Sequence, residues 1–562
     1  MSETSLLGYK WQILNNDPSS SILERLLSNR GVLASDSEGE YLNPSFSKLH
    51  DPFLMDGMMD AVKRIQKAIK NDERIIIFGD YDVDGVTGTA ILVLGLLELG
   101  ANVSYRLPSR TEEGYGLNDK VISEIAEVGT QLLITVDTGI SCAEQIKFAR
   151  SKGIDVIITD HHTIPEQIPD ANFILHPKLE KSAYPFPDLT GAGVAFKLIQ
   201  GLFKEHYSVS ELETKLSRYI DLATLGTIAD LGPLKGENRV IVKQGLKKMR
   251  NTEWDGLRHL LEICNIDPEI EIESNHVGFR IAPRINAAGR LDSPYYALKL
   301  FLSEGQTSRK FAEKLEKINK ERQRLTEEIL HEADIIAKKQ IKKEKILIAY
   351  HPNWKSGLVG IIAGRLSSNH SMPVIIMEER NEFYIGSARG PEYFNLVDAL
   401  KHCGKHLENF GGHTQAAGFT LAKANLPNFI HCMQTYARHT LKETNTEPVL
   451  EVDTELSHQN INQSLIDQIE TLSPFGHKNT RPLFVIKGAY LKDLKRVGQD
   501  RNHLLGNILV DQSEFNFIGF KMAEKVKNIQ DFERFDIVFH VGTNTYKGVT
   551  KIQLQLIDLK RP

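Results

Sequence analysis

The chain has 562 residues, 41% of them apolar and 25% charged, which is the composition of a soluble globular protein of roughly three or four domains. Its net charge of −5 decides neither for nor against nucleic acid, since a basic surface can coexist with an acidic centre. Cys142, Cys264, Cys403 and Cys432 form no CxxC pair, no apolar run reaches the ~18 residues of a membrane span, and Met1-Ser2-Glu3-Thr4 opens no signal sequence, so a disulfide scaffold, a zinc–thiolate site and a membrane protein are not expected and a cytoplasmic one is.

Residues 1–55 are mixed and partly polar, and predict an N-terminal arm or small lobe. From there helix and strand patterns alternate. Ala61 to Ile69 reads as helix, Ile75 to Phe78 as strand, Val86 to Leu99 as helix, and Gln131 to Val136 and Val156 to Thr159 as further strands. Near-continuous apolar strands alternating with helices predict a parallel α/β sheet, which binds ligands beyond the carboxyl ends of its strands. Leu189 to Phe203 and Leu212 to Ala229 read as helices that close this domain, taken as residues 56–239. Residues 240–344 read as mainly helical, ending in a long amphipathic connecting helix from Thr307. A second α/β lobe follows over 345–445, and 446–562 breaks into short strands that fit an OB-type β-barrel.

The densest chemistry is Asp80-Tyr81-Asp82-Val83-Asp84-Gly85, directly behind Ile75-Ile76-Ile77. If the strand continues, the three carboxylates share a face and repel one another, and divalent cations are the natural remedy. One Asp at a strand end is ordinarily a helix cap or turn former. Here Asp137 ends the next strand, Asp160-His161-His162 ends another, and Asp230 ends a helical stretch. Mixed carboxylate and imidazole ligands favour manganese or magnesium over calcium, and position 12 of a calcium loop would be Ile91 instead of Glu. A carboxylate shared by two cations would let one activate water and the other stabilise the developing phosphoryl charge.

These segments, with Gly226-Thr227-Ile228-Ala229-Asp230 and Pro233-Leu234-Lys235-Gly236-Glu237-Asn238-Arg239, resemble the DHH phosphoesterase superfamily, and within it the single-strand-specific DNA exonucleases. The resemblance spans about residues 50–560. It implies two α/β lobes, DHH and DHHA1, joined by a long helix and followed by the barrel. It implies that Asp82 and Asp137 hold one Mn2+ or Mg2+, and that Asp84, Asp137, His161 and Asp230 hold a second, with Asp137 bridging. His162 would sit beside the scissile phosphate, and Asp80 would ligate the first metal or orient a metal-bound water. Phe78 stands where related pyrophosphatases carry a histidine ligand, which favours the exonuclease branch. His176-Pro177 replaces the Asn-Pro usual in the family, a change assigned to a turn.

Further residues are candidates for the DNA strand. Arg110 and Asn118 flank a glycine-bracketed loop, and Arg110 can fork onto a phosphate or simply pair at the surface. Arg280, Arg284 and Asn286 fall in a segment that resembles the family's cleft-facing one, while Arg290 can equally pair with Asp292. In the second lobe Ser387, Arg389, Gly411, Gly412 and His413 resemble the DHHA1 motifs that hold the nucleotide end, with the two glycines offering amides as an anion nest. Trp354 is either a base-stacking surface or a core residue. In the barrel, six basic and two acidic residues between Arg481 and Arg501 nominate Lys492, Lys495, Arg496 and Arg501 for backbone phosphates.

The expectation is therefore a monomeric, metal-dependent 5′-to-3′ exonuclease on single-stranded DNA, serving repair and recombination. By resemblance a helicase and a single-strand-binding protein are its partners. The alternatives are a short-oligonucleotide or cyclic-dinucleotide phosphodiesterase, and an inactive strand-binding scaffold.

Overall fold

The computed structural model describes residues 4–32, 38–109, 116–267, 269–441, 448–526, 529–546 and 548–562. Residues group into two compact units, one of 50–230 with 245–446, the other of 1–49, 231–244 and 447–562.

In the first unit, five parallel strands lie in the order Val103–Arg106, Ile75–Gly79, Leu132–Val136, Asp155–Thr159, Phe173–Leu175. The Ile75–Gly79 and Leu132–Val136 strands are buried along their whole length, as their unbroken apolar runs require. The helix Val83–Glu98 is apolar all round and packs against the helices Gly191–Lys204 and Ile220–Ala229. The segment read as one helix from Leu212 to Ala229 is two, Val209–Ser217 and Ile220–Ala229. The connecting helix runs unbroken from Gly305 to Gln340 and buries Ala312, Leu315, Ile318, Ile329, Ala333 and Ala337.

The second lobe of this unit is a five-stranded sheet ordered Asn409–His413, Ala416–Ala422, Phe383–Arg389, Val374–Arg380, Leu347–His351. Only the last pair is parallel, so the lobe is a mixed sheet. A disulfide joins Cys403, just after the helix Leu396–His402, to Cys432 in the helix Leu426–Thr440. No spacing signal announced this single crosslink, because residues 29 apart in sequence meet only once both helices pack.

The second unit is built on a closed barrel. Its five strands, numbered here first to fifth, are Phe484–Val497, His503–Val510, Ser513–Gly519, Glu533–Tyr546 and Val549–Lys560. The first pairs with both the second and the fourth, and the third runs parallel to the fifth, which is the OB arrangement. The strands are longer than the apolar runs suggested, since their outer ends alternate toward solvent.

Residues 1–55, expected as a separate arm, do not stand alone. Lys10–Ile13 pairs in parallel with Val449–Val452, and Leu26 and Leu27 enter the barrel core. Arg239, expected in the catalytic domain, belongs to this unit. Its guanidinium donates to the carbonyls of Tyr41, Leu472 and Ser473, tying three chain segments together.

Candidate active site

The acids of the Asp80–Asp84 run converge by a turn and not by strand alternation. The strand ends at Gly79, Asp82 is the N-cap of the following helix, and Asp84 lies in its first turn. Asp82 Oδ1 accepts the amides of Asp84 (2.9 Å) and Gly85 (3.1 Å), so Asp82 is a helix cap as well as a candidate ligand. Asp84 is 1% exposed. Its carboxylate accepts the amides of Gly191 (2.6 Å) and Ala192 (2.9 Å), the first two residues of a helix capped by Thr190.

That close approach demands small residues. A Cβ on Gly191 would stand 2.5 Å from Asp137 Cβ, and one on Gly226 2.5 Å from Asp84 Oδ1. Gly226 stands in a recognisable motif that does not reveal this role, and Gly191 and Ala192 stand in none. The available signal was Thr190-Gly191-Ala192-Gly193, a hydroxyl cap followed by small residues. Asp137 itself has φ 59°, a left-handed conformation that Asp tolerates better than most residues and that marks a functional position.

Ligand atoms of Asp80, Asp82 and Asp137 lie within 4.8 Å of one another, as do those of Asp84, His161 and Asp230, and those of Asp137, His161 and His162. His161 Nε2 is 3.0 Å from Asp137 Oδ1 and 3.7 Å from both Asp84 Oδ2 and Asp230 Oδ2. Asp137 thus borders both groups. Asp160 does not join them. Its carboxylate accepts the amides of Ile140, His161 and His162 and contacts His162 Nδ1 at 2.7 Å, so it orients the histidine pair. His176 does more than shape a turn. Its Nδ1 accepts the Lys178 amide, which leaves Nε2–H to donate to the His162 carbonyl at 2.8 Å.

The electrostatics describe an anionic centre in want of cations. Burial, then the charges of Asp84, Asp82, Asp80 and Asp230, push Asp137 well above the usual carboxylate range. Burial and Asp82 raise Asp84 to about 6, and burial with Asp84 and Asp82 raises Asp230 to about 8. Burial and His162 pull His161 down to about 3, so at neutral pH its imidazole is uncharged and offers a lone pair. Burial opposes charge on His162, yet its bond to Asp160 and the charges of Asp160, Asp230 and Asp80 lift it to about 9. Burial likewise works against Asp160, but His162 and the Ile140 amide hold it down at about 2. Mutually repelling carboxylates beside a neutral histidine are the donor set of a hard or borderline divalent cation, and the site fits two.

Other candidates fare differently. Asn286 Oδ1 accepts the Val83 amide at 3.2 Å, so it braces the acidic turn. Arg280 donates to the carbonyls of Cys264 and Asn265, and Arg284 is paired with Glu316 at 2.7 Å. Arg290 donates to the Gly357 carbonyl, while Asp292 pairs with Lys314. Asn118 caps the helix Asp119–Glu127 by accepting the Val121 amide. Arg110 lies outside the described residues. Trp354 is a core residue, 1% exposed and donating to Glu332, so base stacking by it is excluded.

The second-lobe motif is brought together, although not as a nest. Gly411, Gly412 and His413 form an exposed edge strand. Registers align His413 with Ala416 and Ala416 with Arg389, and Gly411 with Gly418 and Gly418 with Ser387, so these residues share one end of the sheet. Arg389 donates to Ser387 Oγ at 3.0 Å.

Comparison with known proteins agrees with this geometry. The chain matches the family models for the DHH family N-terminal domain over residues 74–227, the DHHA1 domain over 343–439 and the RecJ OB domain over 452–558. The single-stranded-DNA-specific exonuclease RecJ of Bacillus subtilis is 36% identical over 540 residues, covering 96% of this chain and 67% of that protein. The RecJ of Haemophilus influenzae is 31% identical, with 96% of each chain covered.

The chain belongs to the RecJ family.

The crystal structure of Thermus thermophilus RecJ in complex with Mn2+ superposes on it with a TM-score of 0.83 at 28% identity, covering 98% of this chain and 79% of that one. Among RecJ residues of this chain, Asp80, Asp82, Asp84, Asp137, His161, His162 and Asp230 converge. Lys492 and Arg496 are each engaged by an acid, Glu514 at 2.9 Å and Glu524 at 2.8 Å. Lys495 and Arg501 form no ion pair among the described residues, and Arg501 sits in a turn with φ 51°.

Proposed function

We propose that this chain is a single-stranded-DNA-specific 5′-to-3′ exonuclease that hydrolyses the terminal phosphodiester with two Mn2+ or Mg2+ ions and releases 5′-mononucleotides. The observation that carries the proposal is the position of Asp137 at the border of two ligand groups, Asp80 and Asp82 on one side and Asp84, His161 and Asp230 on the other. These residues would hold the pair of ions, with Asp137 common to both. Bound there, divalent cations supply an acidified water and counter-charge for the phosphoryl oxygens.

The chain's own groups do the rest. His162, cationic near neutral pH and held by Asp160, places a positive charge at the rim of the acidic cluster, where it can meet a phosphate. His161, kept neutral, remains a donor of electrons instead of a competitor for the acids. Ser387, Arg389 and His413 share one sheet end and offer two hydrogen-bonding side chains and a guanidinium to a 5′-phosphate. Support also comes from the curated relatives, which are named for single-stranded-DNA-specific exonuclease activity. The proposal includes a monomer acting in the cytoplasm in DNA repair and recombination, beside a helicase and a single-strand-binding protein. No helix among the described residues is long and apolar enough to cross a membrane.

The test is degradation of a long 5′-phosphorylated single strand with Mn2+, with and without chelator. Mononucleotides appearing from the 5′ end only when the ion is free support the proposal. Absence of a metal-dependent product overturns it, and cleavage of dinucleotides alone selects the phosphodiesterase alternative.

A further inference from the structure

Two strand ends of the first sheet leave it side by side. The edge strand Phe173–Leu175 runs parallel to Asp155–Thr159 with Leu175 in register with Thr159, and the Asp160 amide donates to the Leu175 carbonyl at 3.3 Å. Asp160-His161-His162 therefore follows one strand directly beside His176-Pro177-Lys178, which follows the other. The second segment grips the first at two successive carbonyls. Buried His176 donates to that of His162 at 2.8 Å, and exposed Lys178 donates through Nζ to that of His161 at 2.9 Å. The side chain of the same His161 approaches Asp84, Asp137 and Asp230, so the ammonium stands one residue from the ligand group of Asp84, His161 and Asp230.

A carbonyl clamp does not by itself call for a lysine. His176, kept uncharged by burial, holds the neighbouring carbonyl without one. An ammonium has three protons, of which the His161 carbonyl takes one. Lys178 forms no ion pair among the described residues, whereas His162 is bound to Asp160 and Arg284 to Glu316. Its charge is nonetheless felt inside the centre. Burial with Asp84 and Asp82 raises Asp230 to about 8, and His162 and Lys178 act against that rise. A cation that borders the acids, yet is held by a neutral carbonyl, keeps two donors for whatever the site receives.

A strand cut from its 5′ end presents three phosphates near the break: the terminal one, the scissile one and the first one 3′ of the cut. Ser387, Arg389 and His413, in the second lobe, suit the terminal phosphate. The scissile one belongs to the ions and to His162. The third has no partner among these residues, and Lys178 is a cation of the lobe that carries the acids. The strand must also advance by one nucleotide after each cut. A compact ammonium on a flexible stem can leave one phosphate and meet the next, which a guanidinium fixed in one plane does less readily.

We propose that the Lys178 ammonium binds a non-bridging oxygen of the first phosphate 3′ of the scissile bond, holding the strand that stays on the protein while the 5′-nucleotide leaves. The proposal rests on the 5′-to-3′ exonuclease reading and adds a strand contact to it. The test pairs a change in the protein with a change in the substrate, on the full chain in Mn2+. The substrate is a short 5′-phosphorylated single strand, either native or with an uncharged methylphosphonate at its second internucleotide linkage. The quantity read is kcat/KM for release of the first nucleotide. Lys178→Gln keeps a donor for the His161 carbonyl and removes the charge. On the native strand it is expected to lower kcat/KM about tenfold. The methylphosphonate is expected to lower it about tenfold for the unaltered chain and less than about twofold for Lys178→Gln. Lys178→Arg, which keeps charge and donors, is expected to retain the sensitivity to that linkage. With the methylphosphonate moved to the fourth linkage, the coupling to Lys178 is expected to vanish. Native-strand activity of Lys178→Gln equal to that of the unaltered chain overturns the proposal. So does a loss of equal size on both strands, which would make Lys178 a clamp for His161 alone, and so does coupling that persists at the fourth linkage. Metal-dependent cutting without coupling removes only this contact, whereas no metal-dependent cutting by the unaltered chain removes the exonuclease reading and the contact with it.

Discussion

The acidic centre and the barrel face present opposite solutions to handling charge. In the centre, Asp84 and Asp137 are buried, each carboxylate is held by specific amides or by a neighbour, and the charge of His162 at the rim compensates the repulsion only in part. On the barrel, the partly buried Lys492 and the exposed Arg496 are already paired with Glu514 and Glu524. Buried, pre-organised charge couples strongly to whatever binds it, whereas exposed paired charge is screened and replaceable. Single substitutions should therefore act steeply in the first region and gently in the second.

The largest effect is expected at the shared carboxylate. Asp137→Ala should lower turnover by at least ~10³-fold in Mn2+ while strand affinity in chelator changes little. Comparable activity from this variant would break the contrast at its root. Next is Gly191→Ala, whose new methyl would fall 2.5 Å from Asp137 Cβ. A loss of ~10²-fold in turnover is expected, with an unchanged far-ultraviolet circular dichroism spectrum, because the clash displaces a ligand without dismantling a core. A smaller loss, about tenfold, is expected for His176→Ala, which removes the bond to the His162 carbonyl; recovery in His176→Asn would show that a donor there is sufficient.

Stability should report the same repulsion. Asp230 is held up to about 8 and His162 up to about 9, so both bind a proton more tightly folded than unfolded. Their contribution is present below the ordinary pKa of each and is lost as pH rises through about 8 and about 9. His161, pulled down to about 3, acts only below 6.5 and does not enter that window. The melting temperature in chelator should therefore fall by a few degrees between neutral and alkaline pH, and Mg2+ should restore more at the alkaline end. A chelated protein that gains stability over this range would contradict the picture. The smallest effects belong to the barrel. Lys492→Ala and Arg496→Ala should each change oligo(dT) affinity by less than about threefold, since each side chain must leave an acid to meet a phosphate. A tenfold loss from either would mean that the paired surface is as finely organised as the buried centre.

The chemistry of the site was legible because its residue types are rare in combination: acids ending successive strands, with two adjacent histidines. The means of assembly was not. Alternation along a strand suggested that Asp80, Asp82 and Asp84 share a face, but the strand stops at Gly79 and a helix starts at Asp82. Asp82 caps that helix and still keeps a carboxylate oxygen close to those of Asp80 and Asp137, a double placement that residue type alone does not reveal. Trp354 and Asn286 show the converse limit. Trp354 was open between base stacking and core, and packing decided for core; Asn286 was a candidate for substrate, and the fold also makes it a brace for the acidic turn.

What the sequence determined by itself was local and periodic: the buried parallel strands, the long amphipathic helix, the chain of short barrel strands and the residue types that gather at the acidic centre. Hydrophobic period and residue chemistry carry those. Only the tertiary structure decided which distant segments serve one another. Lys10–Ile13 pairs with Val449–Val452, and Gly191 and Ala192 grip Asp84. Each of these depends on register and close approach between residues far apart in the chain, and such contacts leave no pattern within any short stretch of sequence.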